Sequence, residues 1–100
     1  MATIIEESKW PSESNKKLAE VWLGAGEIPE YLKMIWAGTV SDINLGEKGL
    51  VLWQCDDSKI AEGLFFIKSD AARYNLVPGY SCSVVVWTEA EDALKIIGMG

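Results

Sequence analysis

Leu50-Val51-Leu52-Trp53 and Val84-Val85-Val86-Trp87 are apolar at every position. Short runs rich in β-branched and aromatic residues read as strands, and a strand that is apolar on both sides needs cover on both faces of its sheet. A chain of 100 residues can supply one layer of helices and has little left for a second. The two runs therefore point to a sheet whose other face is covered by a second subunit.

Working outward, Thr3 to Trp10 reads as a first strand, closed by Pro11. Ser12 or Ser14 then caps a helix in which Leu18, Val21, Trp22 and Ala25 recur on one face. Gly24 and Gly26, which tolerate a left-handed backbone, end it before Pro29. Leu32 to Asp42 is a second strand, Asn44 to Gly49 a turn, and Leu50 to Cys55 a third strand. Asp56-Asp57-Ser58 predicts the cap of a second helix with a stripe of Ile60, Ala61, Leu64 and Phe65. Gly63, inside that helix, would let a neighbouring backbone come close.

Ser69 to Leu76 fits neither a helical nor a strand period, whereas Val77-Pro78-Gly79-Tyr80 reads as a turn and Ser81 to Trp87 as the fourth strand. Thr88-Glu89-Ala90-Glu91 matches a capping box, opening a terminal helix that packs through Ala90, Leu94 and Ile97 and ends at Gly98. This order predicts a single α+β domain over residues 1–100, a ferredoxin-like βαββαβ unit. Its four-stranded antiparallel sheet would have the order 4-1-3-2, with two helices covering one face and a short C-terminal helix added. Hiding about 600 Å² of the open face per subunit would give roughly 15 kcal/mol, set against association costs of about 4 to 15 kcal/mol. A homodimer through that face is the expectation.

Composition narrows the chemistry. Net charge is −6, and Arg73 is the one arginine, so the electrostatic term that favours nucleic acid or an anionic membrane has the wrong sign. Lys48 to Trp53 is faintly similar to a strand of RNA-recognition domains, yet Leu50 and Leu52 stand where base-stacking aromatics would be needed. Purely apolar stretches run to about four residues against the roughly 20 that cross a bilayer, and no signal-like segment opens the chain, so the reading is a cytoplasmic protein. Histidine is absent, which removes the commonest general base and haem ligand. Cys55 and Cys82 lack metal-ligand spacing and read as free, buried thiols, with strand one between them. Neither cofactor nor metal is expected.

Five tryptophans are the compositional outlier. Trp10, Trp36, Trp53 and Trp87 fall at or in strands, where they either line a ligand pocket or fill the core and the dimer seam. Arg73, with Tyr74 and Tyr80, could orient an anionic ligand or form a surface ion pair. Glu6, Glu7, Asp42, Asp56 and Asp57 lie near strand ends, where carboxylates can share a proton or hold a hard cation. No catalytic residue follows from any of these patterns.

Three segments carry a resemblance: Ile28-Pro29-Glu30-Tyr31-Leu32-Lys33-Met34-Ile35-Trp36, the acidic cap Asp56-Asp57-Ser58, and the valine strand entering Thr88-Glu89-Ala90-Glu91-Asp92-Ala93. In pattern they resemble small members of the dimeric α/β barrel superfamily. That resemblance implies a homodimer with two sheets packed face to face and, in some members, a pocket between sheet and helices. It spans cofactor-free monooxygenases, haem-degrading enzymes, lactone isomerases and non-catalytic ligand sensors, so fold alone does not assign an activity. The leading expectation is a homodimeric protein binding a small apolar or aromatic molecule. The alternatives are a cofactor-free monooxygenase or isomerase acting on an aromatic or quinone-like substrate, and a structural or regulatory interaction module.

Overall fold

The computed structural model describes residues 1–99. Four strands, β1 (Ala2–Trp10), β2 (Leu32–Asp42), β3 (Gly46–Cys55) and β4 (Ser81–Trp87), form one antiparallel sheet. The helices are α1 (Asn15–Leu23), α2 (Ile60–Ala71) and α3 (Ala90–Ile96). Neighbours run β2-β3-β1-β4, which is 4-1-3-2 read from the opposite edge. The molecule is an α+β domain, compatible with a ferredoxin-like arrangement. No helix among the described residues is long and apolar enough to cross a membrane.

Strand register divides the sheet into two faces. Ile4 pairs with Trp53 and Val86, Glu6 with Val51 and Val84, and these side chains point towards the helices. Ile5 pairs with Leu52 and Val85 on the other face, and Trp36 joins them from β2 through its pairing with Leu52. A register shift between Met34 and Trp36 absorbs Ile35 and sets this alternation in β2. The Trp36 ring then folds flat over Gly38, occupying the space where a β-carbon would stand.

The helices cover the sheet unevenly, against the expectation of a fully covered face. α2 packs on β4 and on a cluster of Ile4, Leu32, Trp53, Cys55 and Ile67. A second cluster, Trp10, Tyr74 and Val77, holds Leu18 and Val21 of α1. α1 rests mainly on the 3₁₀ segment Ala72–Leu76 and buries no residue fully. Leu18 and Val21 are half-buried while Trp22 and Ala25 stay exposed, and Ala37 and Thr39 of β2 lie uncovered.

Several local expectations are corrected. In α2 the packed side is Gly63, Ile67 and Ala71, with Ile60 and Leu64 half-buried, whereas Ala61 and Phe65 face out. The helix is entered through a 3₁₀ turn, Asp57–Lys59, without a side-chain cap from Asp56. Ser14 does not cap α1, because its hydroxyl donates to the Pro78 carbonyl at 2.7 Å and ties the helix start to the 77–80 turn. Gly24 keeps φ at −88°, and among the described residues the left-handed glycines are Gly46, Gly79 and Gly98. Glu89, not Thr88, is the N-cap residue of α3, and no capping-box side-chain bond forms. Cys55 is buried but Cys82 is exposed, because β4 is an edge strand.

Ser69 to Leu76, which fitted no period, continues α2 to Ala71 and then tightens to 3₁₀. α3 ends as expected at Gly98, φ +79°, where the Gly98 and Met99 amides donate to the Lys95 and Leu94 carbonyls. Its apolar residues are, however, poorly covered: Ala93 is half-buried, while Leu94, Ile97 and Met99 are all exposed.

Gly63 carries a checkable contact. A β-carbon there would lie 2.7 Å from Cys55 Sγ, so what approaches is a side chain rather than the expected backbone. The thiol is held in place by donating to the Lys59 carbonyl at 3.3 Å. Gly63→Ala alone should cost about 1 to 3 kcal/mol by overpacking. With Cys55→Ala already made, the same change should be neutral or stabilise by up to about 1 kcal/mol through helix propensity. Urea unfolding of the four proteins in this cycle reads the difference, and equal effects in both backgrounds would exclude the contact as the cause.

Candidate functional site

Between the two clusters, on the helix side of the sheet, lies a cavity of about 350 Å³. Its floor is β1 and β3, its roof is α1 through Leu18, Ala19 and Trp22, and one end is closed by Tyr74 and Tyr80. The gap follows from sequence. Trp10 and Tyr80 stack with centroids 6.3 Å apart and Tyr80 and Tyr74 at 4.9 Å, building an aromatic column that holds α1 off the strands. Trp10 is fixed by its indole N–H, which donates to Asn15 Oδ1 at 2.7 Å.

Glu6 sits mid-strand in β1 and faces this space. It is only 7 % exposed. Its Oε1 accepts a hydrogen bond from Trp53 Nε1 at 3.1 Å, and no other hydrogen bond reaches the carboxyl among the described residues. Burial pushes its pKa above the usual carboxylate value; the Trp53 bond opposes this and the charge of Asp70 adds to it. Burial also raises both tyrosines, Tyr74 to about 12, so they stay neutral near pH 7.

The candidate residues separate. Trp10 and Trp53 line the cavity, and Trp22, which sequence reasoning placed only on a helix stripe, joins them at the mouth. Trp36 and Trp87 lie on the opposite face of the sheet, 53 % and 55 % exposed. Arg73 does not line the cavity. Its Nε and Nη2 meet Asp70 Oδ1 at 2.9 and 2.8 Å, and Nη1 donates to the Val21 carbonyl at 2.7 Å. It therefore clamps the end of α1 to the segment after α2.

The carboxylates named from the sequence do not assemble. Glu6 and Glu7 point to opposite faces, Asp42 Oδ1 accepts from the Asn44 and Leu45 amides in the β2–β3 turn, and no metal-holding cluster occurs among the described residues. Glu6 was legible only as an acidic residue in an apolar strand. Its burial depended on the pairing register, which places positions 4 and 6 on the helix face.

Comparison of the chain with protein-family models, with curated proteins and with solved structures yields no match. A functional reading therefore stands on this geometry.

Linkage through Glu6 has a definite sign. A carboxyl raised in the folded state favours folding at acid pH, and that contribution is lost as pH rises from about 4.5 through the raised value. Glu6→Gln, which keeps an acceptor for Trp53, should gain stability over the native chain across this window and differ least at pH 4. Urea midpoints at pH 4 and pH 8 test this, and a gap that does not widen with pH would mean that the carboxyl is not buried as described.

Proposed function

We propose that this chain is a homodimeric, ferredoxin-like protein of the dimeric α/β barrel type that binds a small apolar or aromatic molecule on the helix side of its sheet. The observation that carries the ligand reading is the Glu6 cavity: aromatic walls with a few polar groups form the usual chemistry of a small-molecule site. The cavity is open at the β2 edge, where exposed Ala37 and Thr39 leave a path in.

The dimer reading is supported by surface. Folded monomers of this 11.0 kDa mass expose about 5,600 Å². This chain exposes 6801 Å², an excess of about 1,200 Å², whereas a standard interface takes about 800 Å² from each partner. Its radius of gyration is 15.2 Å against about 13 Å for a compact chain of this length. Trp36, Val40, Val85 and Trp87 on the open face, together with the exposed Leu94 and Ile97 at α3, are the apolar groups that a second copy would cover.

A second reading, a cofactor-free isomerase on an aromatic or quinone-like substrate, draws on one observation. The Glu6 carboxyl has a raised pKa and faces a cavity, as a base for proton transfer would. Solvent-deuterium incorporation into such a substrate, abolished in Glu6→Gln, would favour it over simple binding.

Two measurements test the main proposal. Quenching of tryptophan fluorescence by 2-naphthol should saturate, and Ala37→Phe at the cavity mouth should weaken it by roughly tenfold or more; no saturable quenching would reject the cavity as a ligand site. Sedimentation at tens of micromolar should give twice 11.0 kDa, and Val85→Glu on the open face should give the monomer. A native chain sedimenting as a monomer would reject the dimer.

A further inference from the structure

The proposed site carries a charge signature that selects among small molecules. Two acidic residues line the cavity, Glu6 and Asp70, and no lysine or arginine does. Asp70 is neutralised by Arg73 at 2.8 Å. Among the described residues Glu6 has no cationic partner, and its carboxyl accepts a hydrogen bond from the Trp53 indole N–H alone. An anionic ligand would face this carboxyl inside a chain of net charge −6, and a purely apolar ligand would leave one of its oxygens buried without a partner.

The walls supply what a cation uses. Trp10, Trp22 and Trp53 line the space beside Tyr74 and Tyr80, and ring faces attract cations, indole most strongly; the tyrosines offer less, because Tyr80 is stacked between Trp10 and Tyr74. One of these rings already takes a cation from outside, since the Arg73 guanidinium lies 5.5 Å from the Tyr74 centroid. We infer that the cavity binds an organic ammonium ion with an apolar or aromatic body, its charged end placed against Glu6 within the aromatic walls. This inference rests on the ligand-binding reading above and names the class of ligand.

Three probes of nearly one shape isolate charge: 2-phenylethylammonium, 2-phenylethanol and phenylacetate, titrated calorimetrically into the full chain at pH 7.5. The ammonium ion should bind tightest, by roughly tenfold or more over the alcohol, with phenylacetate weakest. Glu6→Gln should remove most of that preference. Equal or tighter binding of the alcohol or the acetate by the native chain overturns the inference, as does a preference unchanged in Glu6→Gln. If none of the three binds while 2-naphthol still does, the cation reading is lost and the cavity reading stands. If 2-naphthol also fails, both are lost.

Discussion

A carboxyl at the centre of β1 divides the interior of this protein. Glu6 points to the helix face at the place where a small domain would close its single core, and a buried carboxyl cannot be packed against aliphatic side chains without a large desolvation cost. Apolar packing accordingly stops on either side of it. Ile4, Trp53, Cys55 and Ile67 close one cluster, while Trp10, Tyr74 and Val77 close the other. Among the described residues the Trp53 indole N–H is the one donor that reaches the carboxyl, so it both belongs to the first cluster and marks its edge.

The second cluster explains why the gap persists. Aromatic rings stacked near-parallel along Trp10, Tyr80 and Tyr74 form a stiff spacer, unlike a patch of leucines that could collapse inward. Arg73 fixes the height of that spacer by gripping α1 at the Val21 carbonyl and Asp70 at the end of α2. The one arginine of the chain thus acts through geometry: its guanidinium fork joins two helices, a task that a single-point lysine ammonium could not perform in the same way.

Much of the architecture was readable from residue pattern. The second and fourth strands, the turn at Val77-Pro78-Gly79-Tyr80, and the glycine stop at Gly98 each follow from local backbone chemistry and appear at the stated residues. By contrast, β3 begins at Gly46 rather than Leu50, because Gly46 to Gly49, read as turn, pair with β2 and continue the ladder. What failed were contacts decided at a distance. Phe65 is apolar and falls on the expected stripe of α2, yet the side that packs is Gly63, against Cys55 Sγ, with Ile67 and Ala71, and Phe65 faces out. Trp10 and Trp36 look equivalent as strand tryptophans, but the register shift after Met34 sends Trp36 to the open face. Glu6 carried no signal of its own, since an acidic residue in a strand is usually solvated, and only the pairing of β1 with β3 and β4 made it the centre of the cavity.

The two faces of the sheet are chemically separate for the same geometric reason. Alternation along a strand assigns neighbouring residues to opposite sides, so Trp36 belongs to the open face while Ala37 belongs to the cavity mouth. A partner docked on the open face would therefore remove the exposed tryptophans from water without filling the space beside Glu6. It would also stiffen β2, the edge strand whose helix side α1 leaves bare. Assembly and ligand binding, as proposed, would draw on different side chains of one strand, and the surface that a short chain cannot cover for itself is kept apart from the interior that it leaves open.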